Sequence, residues 1–340
     1  MSARWLLAAL LASCLAGPAG AVCRIGRVAT LHVTVEDNKI LVPGTINDTP
    51  VRFILATDIE SMILPLPAHD LGLTKAPSAR LAPILYAEDL GHGPVIGDLT
   101  LDGYKLGDQG LHVIGRRQNF GMKTETAVIG RDILMQYDVE FNLPAGEVML
   151  YRNEGCEDAN LAYWTDSYNL LEMEHSLRIV RVRIAVNGRQ IVADLNTGNP
   201  YTALSTNTAR QLDVALGTAL PPSHDFLADY PIETRRGKAD SIALDQETIH
   251  GPTLRIRKLT VPPPMVAPHF GTFVDFDAET GYARPELEFV PGNRDERRGA
   301  DLSLGVDFFR AHRVMISYSQ AKVYFSYVPG QPFLAPIPEK

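Results

Sequence analysis

The sequence predicts an all-β fold with a few short helices, arranged as two lobes related by a pseudo-twofold axis. Three observations carry this expectation: a motif that occurs twice, near-continuous apolar runs of strand length, and Asn-rich turn signals ahead of them. At 340 residues, with 45% hydrophobic and 21% charged residues, the chain is long enough for two domains of ordinary size. Its formal net charge of −8 argues against a phosphate-backbone partner, which calls for a clustered basic face, so no nucleic-acid partner is expected. The run Arg294 to Arg298 mixes signs beside Gly292 and Gly299 and reads as a solvated loop.

Residues 1–21 read as a targeting segment. Arg4 supplies a short positive region, and Trp5 to Leu15 is apolar but too short to span a bilayer. Ala19-Gly20-Ala21 then fits a cleavage site before Val22. A rival reading takes Leu11-Ala12-Ser13-Cys14 as a lipobox, in which Cys14 becomes a lipidated first residue and the only attachment to a membrane. Either route exports the chain, to the periplasm, the medium or an outer-membrane surface. Cys23 and Cys156 remain in the body, and in an oxidising compartment they most simply form one disulfide, with two free thiols as the alternative. No C-x-x-C or H-E-x-x-H pattern occurs, so neither a metal nor a cofactor is expected.

The repeat organises the rest. Ile46-Asn47-Asp48 precedes the run Val51 to Thr57, and Val186-Asn187-Gly188 precedes Ile191 to Thr197. Asn47 to Ala56 and Asn187 to Asn196 are both nine residues. Each unit reads as a hairpin whose Asn-Asp or Asn-Gly turn supplies the positive-φ positions, followed by a strand covered on both faces. Further on, Ala127-Val128-Ile129-Gly130-Arg131-Asp132 has its counterpart in Leu302-Ser303-Leu304-Gly305-Val306-Asp307. Gly130 to Phe141 and Gly305 to Ile316 are both eleven residues, and Gly130 to Val148 and Gly305 to Val323 both eighteen. Each block reads as strand, short helix (Asp132 to Met135, Asp307 to Arg310) and terminal hairpin, turning at Pro144-Ala145-Gly146 and at Ser319-Gln320. The first lobe is placed at 22–152, a linker at 153–174, the second lobe at 175–328 and a tail at 329–340. Ala56 to Gly130 is 74 residues whereas Asn196 to Gly305 is 109, so the second lobe carries an insertion within Leu216 to Arg298, where Pro221-Pro222 and Pro262-Pro263-Pro264 read as long surface loops.

An apolar strand ending in x-Thr-Gly, followed by an apolar-apolar-Gly strand and a short helix, resembles the aspartic protease superfamily, above all the bacterial retropepsin-like proteins that carry two copies in one chain. The resemblance covers roughly residues 30 to 152 and 175 to 327, and the Gly-x-Asp-Phe-Phe block at Gly305 and the tail Val314 to Tyr318 carry much of it. It implies two acid-protease β-barrel-like lobes, each giving one Asp-Thr-Gly loop to the floor of a peptide-binding cleft, with the threonines locking the loops together. It also implies two carboxyls that share a proton, one acting as base and the other as acid.

Here the second loop reads Leu195-Asn196-Thr197-Gly198 and the first Leu55-Ala56-Thr57-Asp58. Asn196 and Ala56 stand at the two catalytic positions, and Asp58 stands where the family has the glycine that allows a tight turn and close approach of substrate. Thr57, Thr197, Gly198, Gly130 and Gly305 read as preserved scaffold. Asp58 and Asp194 each lie two residues from a catalytic position and Glu60 four; they are the candidates for a relocated dyad. Two strand residues rise about 6.5 Å, which argues against such a substitution without rebuilding the loop. The plainer readings are an exposed loop carboxylate for Asp58 and a hydrogen-bonded partner within the hairpin for Asp194.

The leading expectation is therefore a catalytically degenerate protease homologue that binds an extended peptide or protein segment by strand addition. A flap-like hairpin, or an ordinary one, is expected around Ile84 to Ile96, with Tyr86, Gly91 and Gly93. The alternatives are an active aspartic endopeptidase with an altered dyad, and an assembly subunit that uses the second-lobe loops Pro262 to Phe276.

Overall fold

A computed structural model of the chain describes residues 23–63, 68, 70–71, 73–75, 95–113, 127–174, 179–223, 232–257, 275–276, 283–284 and 300–334. The targeting segment with Cys14, the centre of the expected flap with Tyr86, Gly91 and Gly93, the Arg294 to Arg298 run and nearly all of the Pro262 to Phe276 loops lie outside the described residues. The fold is all-β with short helices, among them Arg131–Leu134, Thr206–Gln211 and Val306–Ala311. Among the described residues no helix is long and apolar enough to cross a membrane.

The repeat becomes two matching sheets. Thr49–Leu55 pairs antiparallel with Lys39–Ile46 and parallel with Ala127–Ile129; Arg189–Leu195 pairs antiparallel with Arg181–Val186 and parallel with Leu302–Leu304. The turn asparagines do more than turn. Asn47 and Asn187 adopt φ of 48° and 50°. Asn47 Oδ1 accepts from the Asp98 N–H at 3.0 Å and its Nδ2 donates to the Leu71 carbonyl at 3.1 Å. In the second lobe Asn187 Oδ1 accepts from the Asp240 N–H at 2.8 Å, and Nδ2 donates to the Leu212 carbonyl at 2.9 Å. Each asparagine thus satisfies backbone groups on two neighbouring segments, which a glycine could not.

The expectation that Pro221-Pro222 lie in a long surface loop is corrected. Ala215–Ser223, Ile232–Lys238, Ser241–Leu244, Glu247–His250 and Thr253–Arg257 are strands of the second-lobe sheet. Pro221-Pro222 sit in its outermost strand, where the register slips between Leu220 and Ser223, so their missing N–H groups interrupt no central ladder. In the first lobe the corresponding segment starts and ends paired, Thr74 with Ile96 and Lys75 with Val95.

The terminal hairpins join the lobes. Asp138–Asn142 pairs with His312–Ser317 at the centre of a six-stranded sheet, flanked by Glu147–Tyr151 and Arg27–His32 on one side and Lys322–Tyr327 and Asn169–Glu172 on the other. Val139 lies opposite Ile316, Glu140 opposite Met315 and Phe141 opposite Val314. Glu140 and Met315 each lie ten residues past their glycine, so the pseudo-twofold axis runs between these two equivalent residues. The expected linker is partly sheet: Asn169–Glu172 forms its edge, while Leu161 and Ala162 pack with Met149, Tyr151, Met315 and Tyr324. Cys23 and Cys156 form the expected disulfide, fastening the start of the described chain to the linker just past the first lobe.

Candidate functional site

Each loop at the lobe junction is held by the same device. The Ser61 N–H and hydroxyl both donate to Asp132 Oδ1 at 2.7 Å, and the Gly130 N–H donates to Ser61 Oγ at 2.8 Å. In the second lobe the Thr202 N–H and hydroxyl donate to Asp307 Oδ1 at 2.7 Å, and the Gly305 N–H donates to Thr202 Oγ1 at 3.1 Å. Burial is the leading cause that raises the pKa of Asp132 and of Asp307. The glycines are required by crowding. A Cβ on Gly130 would stand 2.3 Å from the Ile59 carbonyl oxygen, and one on Gly305 2.4 Å from the Tyr201 carbonyl carbon.

Thr57 and Thr197 then tie the two loops to one another. The Thr57 N–H donates to Thr197 Oγ1 at 3.0 Å and the Thr197 N–H to Thr57 Oγ1 at 3.1 Å. Their hydroxyls donate across the junction, Thr57 to the Leu195 carbonyl at 2.8 Å and Thr197 to the Leu55 carbonyl at 2.9 Å. Both threonines are buried. Four reciprocal hydrogen bonds in a water-poor site fix the relative position of residues 56 and 196.

What those positions carry is unlike in the two lobes. Ala56 is fully buried in an apolar cluster with Leu41, Ile54, Ile59, Met62 and Val128. Its methyl group has no proton to give or take. Asn196 Oδ1 already accepts from the Asn199 N–H at 3.0 Å, closing its own loop. The strand registers allow the walls to be compared residue by residue. Ile54 lies opposite Leu41 and Val128 in the first lobe; Asp194, its counterpart, lies opposite Arg181 and Ser303 in the second. Ile59 and Asn199 correspond too, since their carbonyls accept from Arg131 and Val306, each the residue after its glycine. Asn199 Nδ2 donates to Ser303 Oγ at 2.7 Å. One wall of the junction is therefore hydrocarbon and the other polar and charged. Sequence reasoning missed Arg181, Asn199, Ser303 and Arg257; the signal was available in the register of the repeat, compared across rather than along each strand.

Asp58 crosses from the first lobe to this polar wall. It is not an exposed loop carboxylate: its Oδ1 is buried, and a Cβ on Gly198 would lie 2.4 Å from it. Gly198 therefore makes room for Asp58, and neither residue has positive φ. Asp58 lies beyond the end of Thr49–Leu55, and its carboxylate reaches Gly198 and the Asn196 side chain of the other lobe. Burial pushes the Asp58 pKa up to about 6, against hydrogen bonds from the Asn196 side chain and from backbone N–H groups and the pull of Arg131. Burial also raises Asp194 to about 6; the Asp58 charge adds to the rise, while a hydrogen bond from Ser303 and the nearby Arg181 and Arg257 oppose it. Each aspartate keeps its Oδ1 buried without a hydrogen-bond partner. Glu60 points elsewhere and pairs with Arg131. Outside the polar wall, Tyr201 is 38% exposed and stacks under the Arg255 guanidinium at 3.8 Å.

Among the described residues no group of His, Cys, Asp and Glu side chains is arranged to hold a metal ion. Neither the models of known protein families nor the curated proteins give a match to this chain.

Proposed function

We propose that this chain is an exported protein related to the two-lobed aspartic proteases, which has lost their chemistry and binds an extended peptide between its lobes. The observation that carries this reading is the pairing of a preserved threonine lock with Ala56 in an apolar cluster and Asn196 with its oxygen already engaged. A water molecule at the junction would have no base at either family position, and each general acid–base role is worth about 10²–10⁴-fold in rate. The disulfide fits an oxidising compartment. The test is twofold. The purified protein is expected to show no pepstatin-sensitive cleavage of a denatured protein substrate between acid and neutral pH, and to retain peptides from a random library. Restoring Ala56→Asp with Asn196→Asp is expected to do little until Asp58→Gly is added, because Asp58 occupies the space beside Gly198.

A second reading is favoured by one observation. Asp58 and Asp194 are brought to the junction with pKa values near 6, suited to proton transfer near neutral pH. An enzyme using this displaced pair would cleave peptides and lose that activity in Asp58→Asn or Asp194→Asn.

A further inference from the structure

His312 opens the strand His312–Ser317, directly after the helix Val306–Ala311, and none of its surface is exposed. The rings of Phe308, Phe325, Phe333 and Tyr327 surround the imidazole, with centroids 4.3 to 5.8 Å away. Within this apolar setting both ring nitrogens are engaged. Nδ1 lies 2.8 Å from the Phe308 carbonyl oxygen, and Nε2 lies 3.2 Å from each carboxyl oxygen of Glu247. A carbonyl can only accept, so Nδ1 carries a hydrogen. Nε2 then faces a carboxyl group, and a bare nitrogen and an ionised carboxylate are both acceptors. The contact is complete when one further proton sits on Nε2 or on the carboxyl; without it, two lone pairs are pressed together in a buried site. The Glu247 side chain is 19% exposed, which gives that proton a way in and out.

The contact joins two parts of the fold. Glu247–His250 is the outermost strand of the second-lobe sheet and pairs with Ser241–Leu244, which pairs with Arg181–Val186 beside the strand that leads to Asn196. His312–Ser317 lies at the centre of the sheet that joins the lobes. At the turn of the same hairpin the Leu170 N–H donates to Asp245 Oδ2 at 2.9 Å, and the Gln246 N–H donates to Asn169 Oδ1 at 3.1 Å. In those two contacts a backbone N–H faces an oxygen, so donor and acceptor are fixed. At His312 they depend on a proton.

We propose that His312 and Glu247 form a proton-operated clasp that fastens the 241–250 hairpin of the second lobe to the sheet joining the lobes, closed at mildly acid pH and released as pH rises. The proposal is independent of the peptide-binding reading, since it needs neither cleft nor ligand. The other titratable groups on the elements packed here are directed elsewhere. Asp307 accepts from Thr202, Arg310 donates to Asn38, and Arg313 pairs with Glu140. The Tyr327 hydroxyl donates to the Gln331 carbonyl, His250 lies opposite Ser241 and Lys322 opposite Ser317, each away from the ring. Closing the clasp takes up a proton. Its contribution is therefore present on the acid side and lost as pH rises and the pair gives that proton up. Protonation of ordinary carboxylates, near pH 4, bounds the window from below.

The experiment is hydrogen exchange followed by mass spectrometry on the full chain at about pH 5.5 and about pH 8.5, values that bracket the titration of an ordinary imidazole. Each rate is referred to the intrinsic rate at its pH, and the first-lobe hairpin 39–55 serves as internal reference. In the unaltered chain, protection of the 241–250 hairpin should fall about tenfold against the reference at the higher pH, the scale of one buried hydrogen bond left unmade. Glu247→Gln is the deciding variant. Its amide can turn an oxygen toward a protonated Nε2 or an N–H toward a bare one, so the contact survives in both states. Protection of the hairpin should then be equal at the two pH values. Glu247→Ala, with its fold checked by circular dichroism, should show the lower protection at both. Equal protection of the unaltered chain at the two pH values, an undiminished fall in Glu247→Gln, or full protection in Glu247→Ala would each overturn the proposal.

Discussion

Asp194→Asn replaces a buried carboxyl by a neutral amide of nearly the same shape, so its effect isolates the cost of the charge. The folded carboxyl has a pKa of about 6, and an unfolded one about 3.9. The folded state therefore binds the proton more tightly. Below about pH 4 both states are protonated and there is no penalty; as pH rises through about 6, the folded state must give up a proton in a buried site and stability is lost. A gap of this size corresponds to about 3 kcal/mol at neutral pH, fully present above pH 6. Asp194→Asn is thus expected to be the more stable protein at about pH 7.5, by up to about 3 kcal/mol, and to show no gain at about pH 4. Urea denaturation midpoints followed by tryptophan fluorescence at the two pH values measure this directly. Asp58→Asn should behave alike, and the double variant should gain less than the sum, since each charge raises the cost of the other. A variant less stable than wild type at neutral pH, with an unchanged slope against pH, would refute the reading that burial outweighs Ser303, Arg181 and Arg257 at Asp194.

Other consequences of the site and scaffold are as direct. Thr57→Val removes a hydroxyl that both donates and accepts across the junction and orphans the Thr197 N–H, for about 2–4 kcal/mol of lost stability, and adding Thr197→Val should cost less than a second equal increment. Gly198→Ala should destabilise by about 1–3 kcal/mol through contact with Asp58, and Asp58→Ala in the same chain should relieve most of it in thermal melts. Cys23→Ser with Cys156→Ser opens a covalent loop with a sequence separation of 133 residues and should lower stability by about 2–5 kcal/mol, measured against the oxidised wild type under identical conditions.

Much of the architecture was legible because it is written twice. Equal spacing from Asn47 to Ala56 and from Asn187 to Asn196 locates the hairpins, and Gly130 and Gly305 locate the strands that pass beneath the loops. Local signals served well where one residue settles its own neighbourhood, as Gly146 does with φ of 73° at the foot of its hairpin. They served poorly where a proline pair sits on a sheet edge: Pro221-Pro222 read as a loop because nothing local distinguishes an edge strand from a connection. The candidate site divided in the same way. Ala56, Asn196 and the threonines are identified along the chain. The meeting of Asp58 with Gly198 is not, since it depends on the direction in which a turn carboxylate points, and that is fixed only when the other lobe is in place.

The closeness of Asp58 to Gly198 also bears on how such a protein can arise. These two residues occupy the same station in the two copies of the repeat, and a side chain on one fills the space the other must leave empty. Two identical polypeptides assembled about a true twofold would have to place aspartate at both stations or at neither. Aspartate at both would collide, and glycine at both would supply no carboxylate. The present arrangement is open to a single polypeptide whose halves diverge independently and closed to two identical chains, and the same freedom sets Glu140 opposite Met315 on the axis, where a symmetric assembly would place two glutamates or two methionines.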